Sequence, residues 1–276
     1  HGARIATGRS IIGVERSAGA VDRVRLQNED PTVEMTSMEK TEWLSPDYVV
    51  NATGPWVDEV ADMADLSVPV RYSQGAMAVL ERGGLEMVVN RCRPRGEGDI
   101  AVPFGGSAVL GTTDDEIDGP DDVSRTAADV DRLVDELRAL VPGVASGRPF
   151  RAYWGVRALP PAEGEAPTVE RSRTETLVDH EARDDCWGMT SVFGGKLTTH
   201  RATAERVADH VCAKFGIDRP CRTAELSLPA VPPATGSSES APPTDPVLCE
   251  ESGVRSSAVR AVVEDDVAGL GADLRP

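Results

Sequence analysis

The sequence predicts an α/β chain of the mixed, α+β kind, with a mixed sheet covered by helices on one face. Three observations predict it. Short β-rich runs recur from residue 9 to residue 113 and again from 148 to 193. Two longer segments, 127–141 and 198–215, carry their apolar residues at helical spacing instead. Twice, at 49–64 and at 191–201, a strand-like run ends in small residues and passes straight into a helical pattern.

In chain order, SIIGVERS (9–16) and VDRVRLQ (21–27) read as strands joined by the turn residues AGA. Residues 46–51 form a buried strand, ended by ATGPW, with a helix over about 55–64. Strands follow at 67–80, 85–90, 99–103 and 107–113. The helix at 127–141 aligns Val130, Leu133, Val134, Leu137 and Val141 on one face. Thr126 stands as its N-cap with Asp129 three residues on, and Pro142-Gly143 ends it. Strands are expected near 148–157, 175–179 and 187–193. The last long helix, 198–215, is expected to bury Ala204, Val207, Ala208, Val211 and Phe215. From about 230 the sequence PAVPPATGSSESAPPTDP reads as a linker (231–247), followed by a tail with a short helix near 255–264.

Composition narrows the function classes. The net charge of −17 on 276 residues opposes nucleic acid and anionic membrane. The 29 basic residues comprise three lysines (Lys40, Lys196, Lys214) and 26 arginines. An acidic, Lys-poor surface suits a high-salt cytoplasm, and an Arg-biased genome gives the same balance. Five scattered cysteines without a C-x-x-C pair suggest neither a disulfide framework nor a metal site, which fits a reducing cytoplasm. No run of roughly 20 apolar residues is present to form a membrane span. The chain starts at His1 rather than Met, the mark of a fragment or a processed chain.

Three segments carry the chemistry. In SVFGGKLTTHR (191–201) the paired Gly194 and Gly195 let backbone approach a ligand, and the helix start that follows favours an anion. Lys196 adds a full charge there. The plain alternative is a strand–turn–helix with a solvated lysine. In VVNATGPW (49–56) the small residues Ala52, Thr53 and Gly54 allow close packing or close ligand approach. In RAYWGVRALP (151–160) Arg157 lies within an otherwise apolar strand, where an unpaired guanidinium is costly. A bound phosphate or a structural ion pair would satisfy it.

Taken together, these motifs resemble the FAD-dependent glycerol-3-phosphate dehydrogenases in order and spacing. The V-N-A-T-G-x-W motif is matched at 50–56, and L-G-T-T by Leu110 to Thr113. Y-x-G-V-R is matched from Tyr153, with Ala158 in place of a proline. G-G-K-L-x-T is matched from Gly194, with His200 where the family has tyrosine. VVNRCR (88–93), LVDH (177–180), VCAKFG (211–216) and RPCRTAELSLP (219–229) are similar to the large subunit of the anaerobic type.

The resemblance covers about residues 1–230. It implies part of an FAD/NAD(P)-binding domain of the glutathione-reductase and D-amino-acid-oxidase kind (1–66 and 187–216), with an antiparallel substrate sheet over about 67–186. It implies oxidation of glycerol 3-phosphate to dihydroxyacetone phosphate, with FAD accepting the hydride and quinone accepting the electrons. Arg157 and Arg173 match the substrate-phosphate arginines by position, and Lys196 the active-site lysine. Gly194, Gly195, Lys196, Leu197 and Thr198 match the turn beside the flavin, and Ala52, Thr53 and Gly54 the segment along FAD. Electron-transfer and membrane-anchor subunits are the implied partners, so membrane contact is indirect, at the cytoplasmic face.

The chain also departs from the family pattern. The G-x-G-x-x-G turn that receives the FAD pyrophosphate does not occur, so an N-terminal segment is expected to be missing. Where some relatives carry a candidate catalytic histidine, this chain reads Gln74-Gly75-Ala76-Met77, which leaves His200 as a candidate base. The tail (248–276) holds one cysteine, Cys249, where the anaerobic type has four for an iron–sulfur cluster, so that domain is expected to be truncated. A different flavin amine or hydroxy-acid oxidase, or a non-catalytic fragment, are the competing functions. The paired arginines weigh against both.

Overall fold

The protein is described by a computed structural model over residues 3–29, 41–81, 84–92, 100–144, 149–161 and 175–226, with the backbone of 247–249 and 254–255. Strand β1 (Arg9–Ser17) turns back into β2 (Ala20–Asn28) through Ala18 and Gly19, whose φ angles of 51° and 80° are both positive. That is the turn whose twist matches a right-handed hairpin. A short strand, β3 (Thr41–Leu44), extends the ribbon beside β2.

β4 (Val49–Asn51) leads through a 3-10 turn (Gly54–Trp56) into helix α1 (Val57–Asp62). Then comes an antiparallel sheet: β5 (Arg71–Glu81), β6 (Val89–Asn90), β7 (Ile100–Phe104), β8 (Ser107–Gly111), β9 (Asp115–Ile117) and β10 (Arg151–Leu159). Its order is β10-β5-β8-β7-β6, with β9 beside β5. Helix α2 (Ala127–Leu140) is inserted before β10, and the Thr126 side chain accepts from the Asp129 N–H as an N-cap. Leu133, Val134 and Leu137 of α2 form one core with Ala76, Ala78 and Leu80 of β5 and Ala101, Ala108 and Leu110 of β7 and β8. Small residues on the sheet let the helix lie close, and the leucines fill the space.

The chain then returns to its beginning. β11 (Glu175–Asp179), α3 (His180–Asp184) and β12 (Met189–Gly194) lead through a 3-10 turn (Leu197–Thr199) into α4 (His200–Lys214). β12 is the middle strand, antiparallel to β11 and parallel to β4. A second core gathers Val14, Val21 and Val24 of the hairpin, Val57, Val60 and Ala61 of α1, and Met189 and Phe193 of β12. β13 (Val247–Cys249) pairs antiparallel with β14 (Val254–Arg255).

Three differences from the sequence expectations have local causes. β3, β9 and α3 are too short, at 4, 3 and 5 residues, to leave a periodic pattern. Residues 67–70 are not strand, and β5 starts at Arg71. The apolar face of α4 is not buried: none of its described residues is. Ala204, Val207, Ala208 and Val211 face an open cleft instead of a packed layer. The linker at 231–247 and the helix expected near 255–264 lie largely outside the described residues. None of the described helices is long and apolar enough to cross a membrane.

Candidate functional site

The turn after β12 is built by two glycines. Gly194 and Gly195 both have φ of 76°, a region that side chains disfavour. A Cβ on Gly195 would also press against Glu175 of β11 at 3.4 Å. Lys196 then caps the 3-10 turn, and Thr199 closes it: its hydroxyl donates to the Lys196 carbonyl at 2.9 Å. Lys196, Leu197 and Thr198 are exposed, with Leu197 at 87%. His200 donates from Nδ1 to the Leu197 carbonyl at 2.7 Å, which makes it a brace of this turn.

The turn after β4 approaches the same place. Val50, Ala52, Val192, Gly194, Gly195, Lys196 and Leu197 line one cleft of about 720 Å³, closed on its far side by α4. Five of the expected cofactor residues (Ala52, Gly194, Gly195, Lys196, Leu197) are therefore brought together by two strands that pair in parallel. Thr53 and Gly54 continue the first turn and Thr198 the second, without lining the cleft. The walls are apolar, and the charge sits on Lys196.

Arg157 lies apart, on β10 of the antiparallel sheet. Its Nη1 donates to Ser73 Oγ at 3.1 Å and to the Gln74 carbonyl at 3.4 Å, and lies 3.4 Å from Asp114 Oδ1. Its Nη2 donates to Thr112 Oγ1 at 2.8 Å and to the Thr113 carbonyl at 3.2 Å. The guanidinium takes the space beside Gly75, where a Cβ would fall 2.1 Å from Nη2. Gly75 pairs with Gly155 across the strands, and a Cβ on Gly155 would meet nothing within 4 Å. Two side chains are thus missing for different reasons: one makes room for Arg157, and the other leaves open space beside it. Asp114, 4% exposed, is the counter-charge that lets a guanidinium rest within the sheet. Met77, in the stretch Gln74–Met77, packs over Gly111. Arg173 lies outside the described residues.

Sequence reasoning missed the polar networks that hold β12. Thr190 and Ser191 are consecutive and point to opposite faces. On one face Thr190 Oγ1 meets Tyr48 Oη at 2.7 Å and His210 Nε2 at 3.1 Å. Lys214 of the same helix donates to Asp179 at 2.7 Å and to Glu181 at 2.6 Å. Both carboxylates push the Lys214 ammonium well above the usual lysine range. Burial works to raise the Asp179 carboxyl, but the hydrogen bond from Lys214 and the Ala182 N–H outweigh it and hold it below the usual range. Burial pushes the Tyr48 phenol up, against the hydrogen bond to Thr190. On the other face Ser191 meets His180, which is wholly buried and bonded in turn to Asp184. Burial again works to raise Asp184, while hydrogen bonds from Arg183 and His180 leave it below the usual range. These residues are far apart in sequence; the motifs LVDH, VCAKFG and SVFGGKLTTHR contain Asp179, His180, Lys214 and Ser191 without showing that they meet.

Residues 1–209 match the family described as FAD dependent oxidoreductase. The chain is 43% identical over 233 residues to the A1 subunit of the anaerobic glycerol-3-phosphate dehydrogenase of Haloferax volcanii, covering 83% of this chain and 40% of that protein. To the corresponding subunit of the Escherichia coli K12 anaerobic enzyme it is 38% identical over 231 residues, covering 83% and 41%. The chain thus spans about two fifths of the length of these relatives. Among solved structures, the Bacillus halodurans glycerol-3-phosphate dehydrogenase complexed with FAD superposes with a TM-score of 0.60 at 24% identity. The match covers 78% of this chain and 40% of that one and shows a shared fold.

Proposed function

The chain belongs to the FAD-dependent oxidoreductase family, and from that membership we propose that its protein oxidises glycerol 3-phosphate to dihydroxyacetone phosphate. The observation that carries this reading is the 43% identity, across 83% of the chain, to one subunit of a glycerol-3-phosphate dehydrogenase. The geometry supports it, because the two turns expected to flank the cofactor meet at one cleft.

The residues present fit a flavin. Glycine backbone and the small Ala52 leave room for a flat ring, apolar walls suit its faces, and Lys196 at the mouth suits an anionic edge. Bound FAD would supply a two-electron acceptor. The chain's own residues then bind and orient. Lys196 offers an exposed cation one residue from the glycine turn. Arg157 is a fixed positive charge whose fork is already engaged by Ser73, Thr112 and two carbonyls. In this reading it acts on the substrate phosphate as a preorganised charge, at little reorganisation cost. Arg173 is the second phosphate arginine of the reading.

The same reading assigns residues 1–66 and 187–216 to the cofactor side and about 67–186 to the substrate side. Electrons pass on to quinone through partner subunits at the cytoplasmic membrane face; the relatives are themselves named as subunits. The test is an assay of the full-length protein with FAD. Glycerol 3-phosphate should reduce an artificial acceptor and yield dihydroxyacetone phosphate. FAD-loaded protein that leaves glycerol 3-phosphate untouched, or that prefers an amino acid, overturns the proposal.

A further inference from the structure

His180 is a buried titratable group that the proposed reaction leaves unused, and it stands in the middle of a line of hydrogen bonds. Its Nδ1 lies 2.7 Å from Asp184 Oδ2, and its Nε2 lies 2.8 Å from Ser191 Oγ. Asn51 Nδ2 donates to Ser191 Oγ at 3.2 Å and to the Val57 carbonyl at 2.7 Å. The Thr53 hydroxyl donates to Asn51 Oδ1 at 2.7 Å. The line therefore runs Asp184–His180–Ser191–Asn51–Thr53, from α3 across β12 and β4 to the turn at the cleft.

The chemistry of the ends fixes the direction of the bonds at each end of the line. Ionised Asp184 only accepts, so His180 Nδ1 carries a proton. The Asn51 amide nitrogen only donates, so Ser191 oxygen accepts from it. Both ring nitrogens of His180 are thus engaged, Nδ1 by Asp184 and Nε2 by Ser191. The array has the order of a Ser–His–Asp nucleophile site. Yet Ser191 and His180 are each 0% exposed, so no substrate reaches the serine. What leaves the line at its far end is an orientation. Asn51, 2% exposed, is held so that one end of its amide grips the start of α1 and the other grips Thr53.

We propose that His180 is a positioning residue for the Ala52–Gly54 turn, setting through Ser191 and Asn51 the backbone that lies along the flavin. This rests on the proposed flavin site. Arg183 anchors the opposite end, donating to Asp184 from Nε at 2.9 Å and from Nη2 at 2.8 Å. The line is thus tied at both termini.

The experiment is a double-mutant cycle in the full-length holoenzyme with H180A and T53V, reading FAD dissociation and amide hydrogen exchange over 51–57. Each single variant should weaken FAD about tenfold and speed exchange in 51–57 about tenfold, with α2 unchanged. The double variant should be no worse than the weaker single. H180Q, whose amide offers one donor and one acceptor, should recover most of both losses. Losses that multiply in the double variant, or a change under twofold in H180A, overturn the proposal. Should H180A fail to fold, Ser191→Ala replaces it in the cycle and the same outcomes decide. If the wild-type protein binds no FAD, the flavin reading fails. The exchange data still decide whether His180 sets the turn.

Discussion

Two of the four sheets among the described residues differ in what chiefly holds them. The antiparallel sheet from β5 to β10 packs alanines against the leucines of α2, and its strength is volume filled. Polar ties to α2 supplement it: Trp154 Nε1 donates to Asp129 at 3.1 Å, Arg132 donates to Asp115 of β9 at 3.0 Å, and Arg91 pairs with Glu136 at 2.6 Å. The three-stranded sheet around β12 is held by hydrogen bonds on both faces, through Thr190 on one and Ser191 on the other. Apolar packing tolerates small shifts, whereas hydrogen-bond lines fix orientation. The part that must aim two turns at one cleft is held by such lines, and within the larger sheet so is Arg157, through Ser73, Thr112 and Asp114.

The comparison can be broken at three places. Leu137 is 1% exposed in the α2 core. Leu137→Ala should cost about 2–5 kcal/mol in denaturant unfolding. A much smaller loss would mean that packing does not hold the larger sheet. Gly75→Ala should cost about 1–3 kcal/mol by overpacking. Because its Cβ would occupy the place of Arg157 Nη2, it should also raise KM for glycerol 3-phosphate more than it lowers kcat. An unchanged KM would separate Arg157 from substrate.

The third test uses pH. Asp179 and Asp184 both sit below the usual carboxylate range in the folded protein. Their stabilisation is present above the unfolded carboxylate value of about 4 and is lost as pH falls through the folded values. Lys214, pushed up, contributes below the usual lysine value and loses that contribution only in strong alkali. Acid should therefore loosen the β12 sheet before the α2 sheet, by on the order of 1 kcal/mol, seen as earlier loss of exchange protection in 189–194 than in 133–137. Simultaneous loss would show that the polar networks are not a separate source of stability.

Legibility in the sequence followed the same division. The α2 helix, its Thr126 cap and the β1–β2 turn were all readable, because each is local and periodic. The glycine–lysine turn and the small residues after β4 were readable as motifs, and the structure brings five of them to one cleft. The networks were not readable. Residues 51, 53, 180, 184 and 191 form no spacing that a sequence displays, and a buried histidine looks like any other until its neighbours are known. The face of α4 was read as buried because amphipathicity reports that a face is apolar, not what covers it. The need for a glycine at 75 was not readable, since the side chain that takes its space lies on another strand.

The parallel pairing of β4 with β12 also sets a timetable. Val49 and its partner Met189 are separated by the whole of the larger sheet. On a ribosome adding about 5–20 residues per second, β4 waits roughly 7–28 s for the strand that completes it. The antiparallel sheet and α2 emerge within that interval and close on themselves first, as local contacts do. The hairpin, β4 and α1 meanwhile lack the β12 side chains of their core, Met189 and Phe193. The end that carries the β4–β12 cleft is thus completed after the antiparallel sheet, and during synthesis it is where a nascent chain needs shelter from its neighbours.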